Sequence, residues 1–129
     1  MTPHLVRIVK QDGSLPDCAV AALAMLCGVT YGEALAAFKQ PARVVKTGAY
    51  FTEMKQAAAK LKTRTTIKRH GFDITTETGV IYLAGKAENH VAFLWEGRVI
   101  DGDGSCWLTP KSYLEARSFR AKALLVLQP

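Results

Sequence analysis

The segment Cys18-Ala-Val-Ala-Ala-Leu-Ala-Met-Leu-Cys27 constrains the fold more than any other stretch, because none of its side chains is charged or carries a hydroxyl or amide group. Alanine and leucine favour helix, and a helix that is apolar on every side is a buried one. Asp17 stands where an N-cap belongs and Gly28 where a left-handed C-terminal stop belongs, so the helix is expected over Cys18–Cys27. With 129 residues, the chain is expected to be one compact domain over residues 1–129 with a single core.

Around this helix the pattern divides. Thr30-Tyr-Gly-Glu33 has capping-box spacing ahead of Ala34 to Lys39, a second helix that Pro41 follows and that folds back on the first. After a loop over residues 40 to 50 containing Gly48, the spacing of Met54, Ala57, Ala58 and Leu61 predicts an amphipathic helix over Thr52–Leu61. Residues 63 to 68 read as a strand. Val80–Leu83, His90–Trp95, Arg98–Asp101 and Ala123–Leu127 are further strand candidates, separated by turn residues. Thr109-Pro110 predicts the start of a short helix within Leu108–Arg117, as N-cap and N1 proline. Residues 4 to 9 suggest an edge strand or extended arm, with a loop over residues 11 to 16. Helices first and antiparallel sheet second is an α+β order.

Composition narrows the function classes. No apolar run approaches the roughly 20 residues that span a membrane, and the N-terminus lacks the pattern of a secretory signal, so a soluble, cytoplasmic protein with no membrane partner is expected. The net charge of +6 permits an acidic partner, but the basic residues are scattered from Arg7 to Lys122. Their densest stretch, Lys60 to His70, has no aromatic residue to stack on a base, so nucleic acid is not the expected partner. The three cysteines, Cys18, Cys27 and Cys106, form neither an even disulfide set nor a paired metal spacing, and no cofactor is implied.

One of those thiols sits where sulfur becomes reactive. The first turn of a helix presents unpaired backbone N–H groups and the positive end of the dipole, which favour thiolate, and Cys18 follows directly on Asp17. Cys27 lies nine positions on, which at about 100° per residue turns it to the opposite side, and it is expected in the core. Cys106, in Gly104-Ser-Cys-Trp107, is expected in a loop with a structural role.

Of the three histidines, His4 falls in the N-terminal arm and His70 in a basic loop, whereas His90 opens an apolar strand. His90-Val-Ala-Phe-Leu-Trp-Glu-Gly-Arg-Val-Ile-Asp101 reads as a hairpin turning at Glu96-Gly97. A two-residue turn makes paired residue numbers sum to 193, setting Asp101 opposite Ala92 on the face that carries His90. Asp101 is then diagonal to His90, at roughly 7–8 Å between backbone positions. Asp103 falls directly opposite His90 in the same register and is the competing partner. A carboxylate beside an imidazole fixes its tautomer and steadies the imidazolium, the third role in a Cys-His-Asp arrangement.

Gln11, Asp17-Cys18-Ala-Val-Ala-Ala-Leu-Ala-Met25, Asn89-His90-Val-Ala-Phe93 and Val99-Ile-Asp101-Gly together resemble the bacteriocin-processing, double-glycine leader peptidases. Those are cytosolic domains of certain ABC exporters and belong with the papain-like cysteine peptidases. The resemblance covers residues 11 to 38 and about 80 to 104. It implies a papain-like fold, with Cys18 as nucleophile, His90 as general base and acid, Asp101 as the orienting residue and Gln11 as a second oxyanion donor. Gln11 stands seven residues before Cys18 where the family usually has six, Asp12 takes the sixth position, and Ala19 replaces the usual glycine.

The chemistry implied is acyl transfer through a thioester on Cys18, with a peptide or protein as substrate. Hydrolysis of a peptide bond is the leading expectation. Deamidation and transfer to another acceptor use the same residues, and a peptide-binding domain without catalysis is the alternative.

Overall fold

The computed structural model describes residues 17–86 and 89–128. The expected arm over residues 4 to 9, the loop over 11 to 16, His4 and Gln11 lie outside the described residues. The elements run α1 (Cys18–Cys27), α2 (Tyr31–Ala37), α3 (Pro41–Thr47), α4 (Phe51–Lys60), β1 (Thr65–Lys68), β2 (Gly79–Ala84), β3 (Asn89–Trp95), β4 (Arg98–Ile100), β5 (Cys106–Trp107), α5 (Pro110–Arg117) and β6 (Arg120–Leu127). The architecture is α+β. All strands join one antiparallel six-stranded sheet in the order β1-β6-β2-β3-β4-β5.

Both faces of the sheet are covered. On one face, Val80, Val91, Phe93, Ala123 and Leu125 pack with α1, Met54 and Ala57. On the other, Ile81, Leu83, Ala92, Leu94, Leu124 and Val126 pack with Tyr113 of α5, Phe72, Ile74 and Phe119. Alternate residues of β3 and β6 serve opposite cores, which is why these strands read as continuous apolar runs. α1 is the centre of the helical layer, and every residue from Ala19 to Leu26 is buried.

The β3–β4 hairpin has the expected register, with Phe93 opposite Ile100, Leu94 opposite Val99 and Trp95 opposite Arg98. Glu96 (φ 48°) and Gly97 (φ 81°) both take left-handed conformations, the turn that matches strand twist. The capping box also forms, since the Thr30 hydroxyl accepts from the Glu33 amide and the Glu33 carboxylate accepts from the Thr30 amide.

Four expectations need correction. The stretch expected as a 40 to 50 loop holds helix α3, because Pro41 opens a helix at N1 as well as following one. Helix α2 accordingly stops at Ala37, short of Lys39. Asp17 does not cap α1 with its side chain; its φ and ψ of −104° and 25° are not those of an N-cap, and its buried carboxylate accepts from the Tyr31 hydroxyl at 2.5 Å. Cys106 is not in a loop but in the short strand β5, paired with Ile100. Among the described residues no single helix is long and apolar enough to cross a membrane.

Candidate active site

Cys18 is the first residue of α1, and Val20 N–H already bonds Asp17 O at 3.0 Å, so Cys18 and Ala19 stand at the bare end of the helix. α1 packs against β3, whose second residue is His90. Cys18, Ala19, Asn89, His90 and Val91 line a cleft of about 290 Å³ together with Gly48, Ala49 and Tyr50, which follow α3. The thiol is half-buried.

Asp101 lies one residue beyond β4, where the chain curls. Its N–H donates to Ser105 O and its carbonyl accepts from Gly104 N–H, both at 2.9 Å. This turn tips the side chain inward, leaving the residue 2% exposed. Its Oδ1 lies 2.6 Å from His90 Nε2 and accepts from Gly102 N–H at 2.7 Å. Its Oδ2 accepts from the Tyr113 hydroxyl at 2.9 Å and from Arg117 at 3.3 Å. The second arm of the Arg117 guanidinium holds Asp103 at 2.9 Å. The His90 ring also stacks on Phe119, with centroids 5.6 Å apart and planes 13° from parallel.

These contacts set the charges. Burial works against the imidazolium of His90, but hydrogen bonds to Asp101 and Cys18, with their negative charge, outweigh it and raise its pKa from 6.5 to about 10. With Nε2 engaged by Asp101, Nδ1 is the nitrogen left for the Cys18 sulfur. Burial alone would raise the Asp101 carboxyl. The bonds from His90, Gly102 and Tyr113 hold it below the usual carboxylate value. Burial and the adjoining Asp101 charge push the Tyr113 phenol far upward, so it stays a donor. The site thus pairs a buried carboxylate with a charged histidine beside a thiol.

Of the residues expected here, Cys18, His90 and Asp101 come together. Asp103 does not: it is exposed, and it is held by Ser105 and Arg117, which bring its carboxyl to about 2 despite the opposing effect of burial. The curl at Asp101 ends the ladder before position 103 reaches His90. Gln11 lies outside the described residues. Cys27 packs partly buried against the core, and burial raises its thiol. Among the described residues no cluster of three or more His, Cys, Asp or Glu side chains is arranged to hold a metal ion.

Sequence reasoning missed Tyr113, Arg117 and Phe119. The signal for two of them was present, since Tyr113 and Arg117 are four apart on one helix and so share a face. Nothing local tied that face to Asp101. No protein-family profile, curated protein or solved structure matches this chain.

Proposed function

We propose that this chain is a papain-like cysteine hydrolase that cleaves an amide bond in a peptide or protein through a thioester on Cys18. The observation that carries the reading is that Cys18 and His90 open on one cleft while a buried carboxylate, Asp101, holds the far nitrogen of His90. A nucleophile-bearing helix packed on an antiparallel sheet that supplies the histidine is the arrangement such an enzyme needs.

In this reading the Cys18 sulfur, its proton already resting on the charged His90, attacks the substrate carbonyl. The carbon–sulfur bond forms, and the carbonyl oxygen becomes an oxyanion beside the backbone N–H groups at the start of α1. The tetrahedral species collapses, the carbon–nitrogen bond breaks, and His90 gives its proton to the departing amine. Water, deprotonated by His90, then attacks the thioester and releases the acid and the thiol. Asp101 steadies the imidazolium in each half.

Iodoacetamide labelling at pH 6, resolved by peptide mass spectrometry, tests the pair within one molecule, because exposed Cys106 is the internal control. Cys18 is expected to label at least about tenfold faster than Cys106. His90→Ala is expected to remove the difference. Equal rates in the wild type overturn the catalytic reading and leave the cleft as a peptide-binding surface.

A further inference from the structure

The cleft holding Cys18 does not end at its own walls. Tyr50 and Tyr82 line it, and they also line a second cavity of about 320 Å³, completed by Phe51, Thr52 and Arg69. Tyr82 projects from β2, and its ring is held edge-on by Phe51 at 5.6 Å. Tyr50 is 73% exposed, one of the two large apolar side chains standing in solvent among the described residues. The two cavities thus adjoin at this aromatic pair, which forms the saddle between them.

The charges along this groove differ in availability. The Arg43 guanidinium is taken up by Glu53, Gln40, Thr47 and the Gly48 carbonyl. Lys68, which precedes Arg69 in the chain and lines neither cavity, is paired with Glu77 at 3.0 Å. Arg69 is exposed, makes no ion pair among the described residues, and is the cation of the second cavity. A side chain with an apolar stem and a carboxylate end fits such a place. Its methylenes cover the tyrosine rings and its charge meets the guanidinium.

The direction of the substrate follows from His90. Asp101 and α5, whose Tyr113 and Arg117 hold it, back the imidazole on the β4 side, whereas Tyr82 lies on β2, the opposite neighbour of β3. The amine that His90 protonates leaves toward His90. The acyl part therefore extends the other way, over Tyr82.

We infer that the groove continues past Tyr82 into a subsite, built by Tyr50, Tyr82, Thr52 and Arg69, that takes an acidic side chain from the acyl portion of the substrate. This rests on the cysteine hydrolase reading and adds its charge preference. The subsite is open to solvent, so the preference is modest and sensitive to salt.

Tetra-alanine chloromethyl ketones carrying Glu, Gln or Lys at the second, third or fourth residue from the ketone test it without a known substrate. Cys18 sulfur bonds to the methylene carbon, chloride leaves, and mass spectrometry gives the rate. At one of the three positions Glu is expected to label about two- to fivefold faster than Gln, and Lys slower, with the difference fading in 1 M salt. Arg69→Glu is expected to invert the order in favour of Lys. Labelling of Cys18 at equal rates by all three at every position overturns the subsite while sparing the hydrolase reading. No labelling of Cys18 by any ketone overturns the hydrolase reading, and the subsite falls with it.

Discussion

His90 Nε2 and Asp101 Oδ1 are 2.6 Å apart, although Asp101 lies beyond the last paired residue of its strand. The contact exists because the chain turns immediately after Ile100 and because α5 supplies two donors to the other carboxylate oxygen. Cys18 comes from the helical layer, Asp101 is fixed by the layer on the opposite face, and His90 sits at the end of the strand between them. The candidate site is therefore a junction of the two cores.

Among the described residues every partner of the Asp101 carboxylate is a donor: His90, Gly102 N–H, Tyr113 hydroxyl and Arg117. A carboxylate accepts on both oxygens, whereas an amide has a donor on one side that must face another donor. Asp101→Asn is thus expected to disrupt His90 despite its similar shape. An NMR titration should show the His90 pKa falling from about 10 toward 6.5, and amide cleavage should drop by about 10² to 10⁴-fold. An unchanged titration would show that Asp101 does not govern the imidazole.

The two donors from α5 are not equivalent. Tyr113 is fully buried, and its hydroxyl meets a charged acceptor, so Tyr113→Phe is expected to cost about 1.5–3 kcal/mol in urea unfolding. The Arg117 side chain is 36% exposed and shared with an exposed carboxylate. Arg117→Ala is expected to cost no more than about 1 kcal/mol. A reversed ranking would mean that the ion pair rather than the phenol secures Asp101.

Much of this was legible because it is local. The apolar run of α1, the Thr30–Glu33 capping box and the Glu96-Gly97 turn are each written within a few residues, and the turn fixed the hairpin register. Pro41 was ambiguous for a physical reason, since its fixed φ and missing N–H suit both the residue after a helix and the first residue of one. The choice between Asp101 and Asp103 depended on a curl whose bonds, Asp101 to Ser105 and Gly104 to Asp101, are not signalled by strand periodicity. Asp17 read as a cap because its chain position suited one, but Tyr31 takes its carboxylate across the α1–α2 hairpin. Such contacts depend on packing between elements, and no single segment records them.

The His90–Asp101 pair should shape stability against pH. His90 has a folded pKa of about 10 against 6.5, so its contribution is fully present below 6.5 and is lost as pH rises toward 10. Asp101 is lowered from 3.8, so its contribution is present above 3.8 and is lost as pH falls through its folded value. Stability from the pair is therefore greatest between 3.8 and 6.5. Urea midpoints are expected to decline from pH 6.5 to 9.5 in the wild type and to be flatter in His90→Gln. Parallel slopes would place the proton linkage elsewhere.

Gly79 tests whether the sheet itself positions the groove. A Cβ there would lie 2.0 Å from the Leu125 carbonyl oxygen, a backbone atom that cannot swing aside. Gly79→Ala must therefore push β2 away from β6 at the point where Gly79 pairs with Val126. The expected cost is about 1–3 kcal/mol, as for overpacking elsewhere in a dense interior. Tyr82 lies three residues along the same strand, so the displacement should reach the saddle of the groove before it reaches His90 on β3. Peptidyl chloromethyl ketones should then lose more rate on Cys18 than iodoacetamide, which needs only the thiol and its histidine. Equal losses for both reagents would mean that β2 and β3 shift together and that the sheet moves as one body.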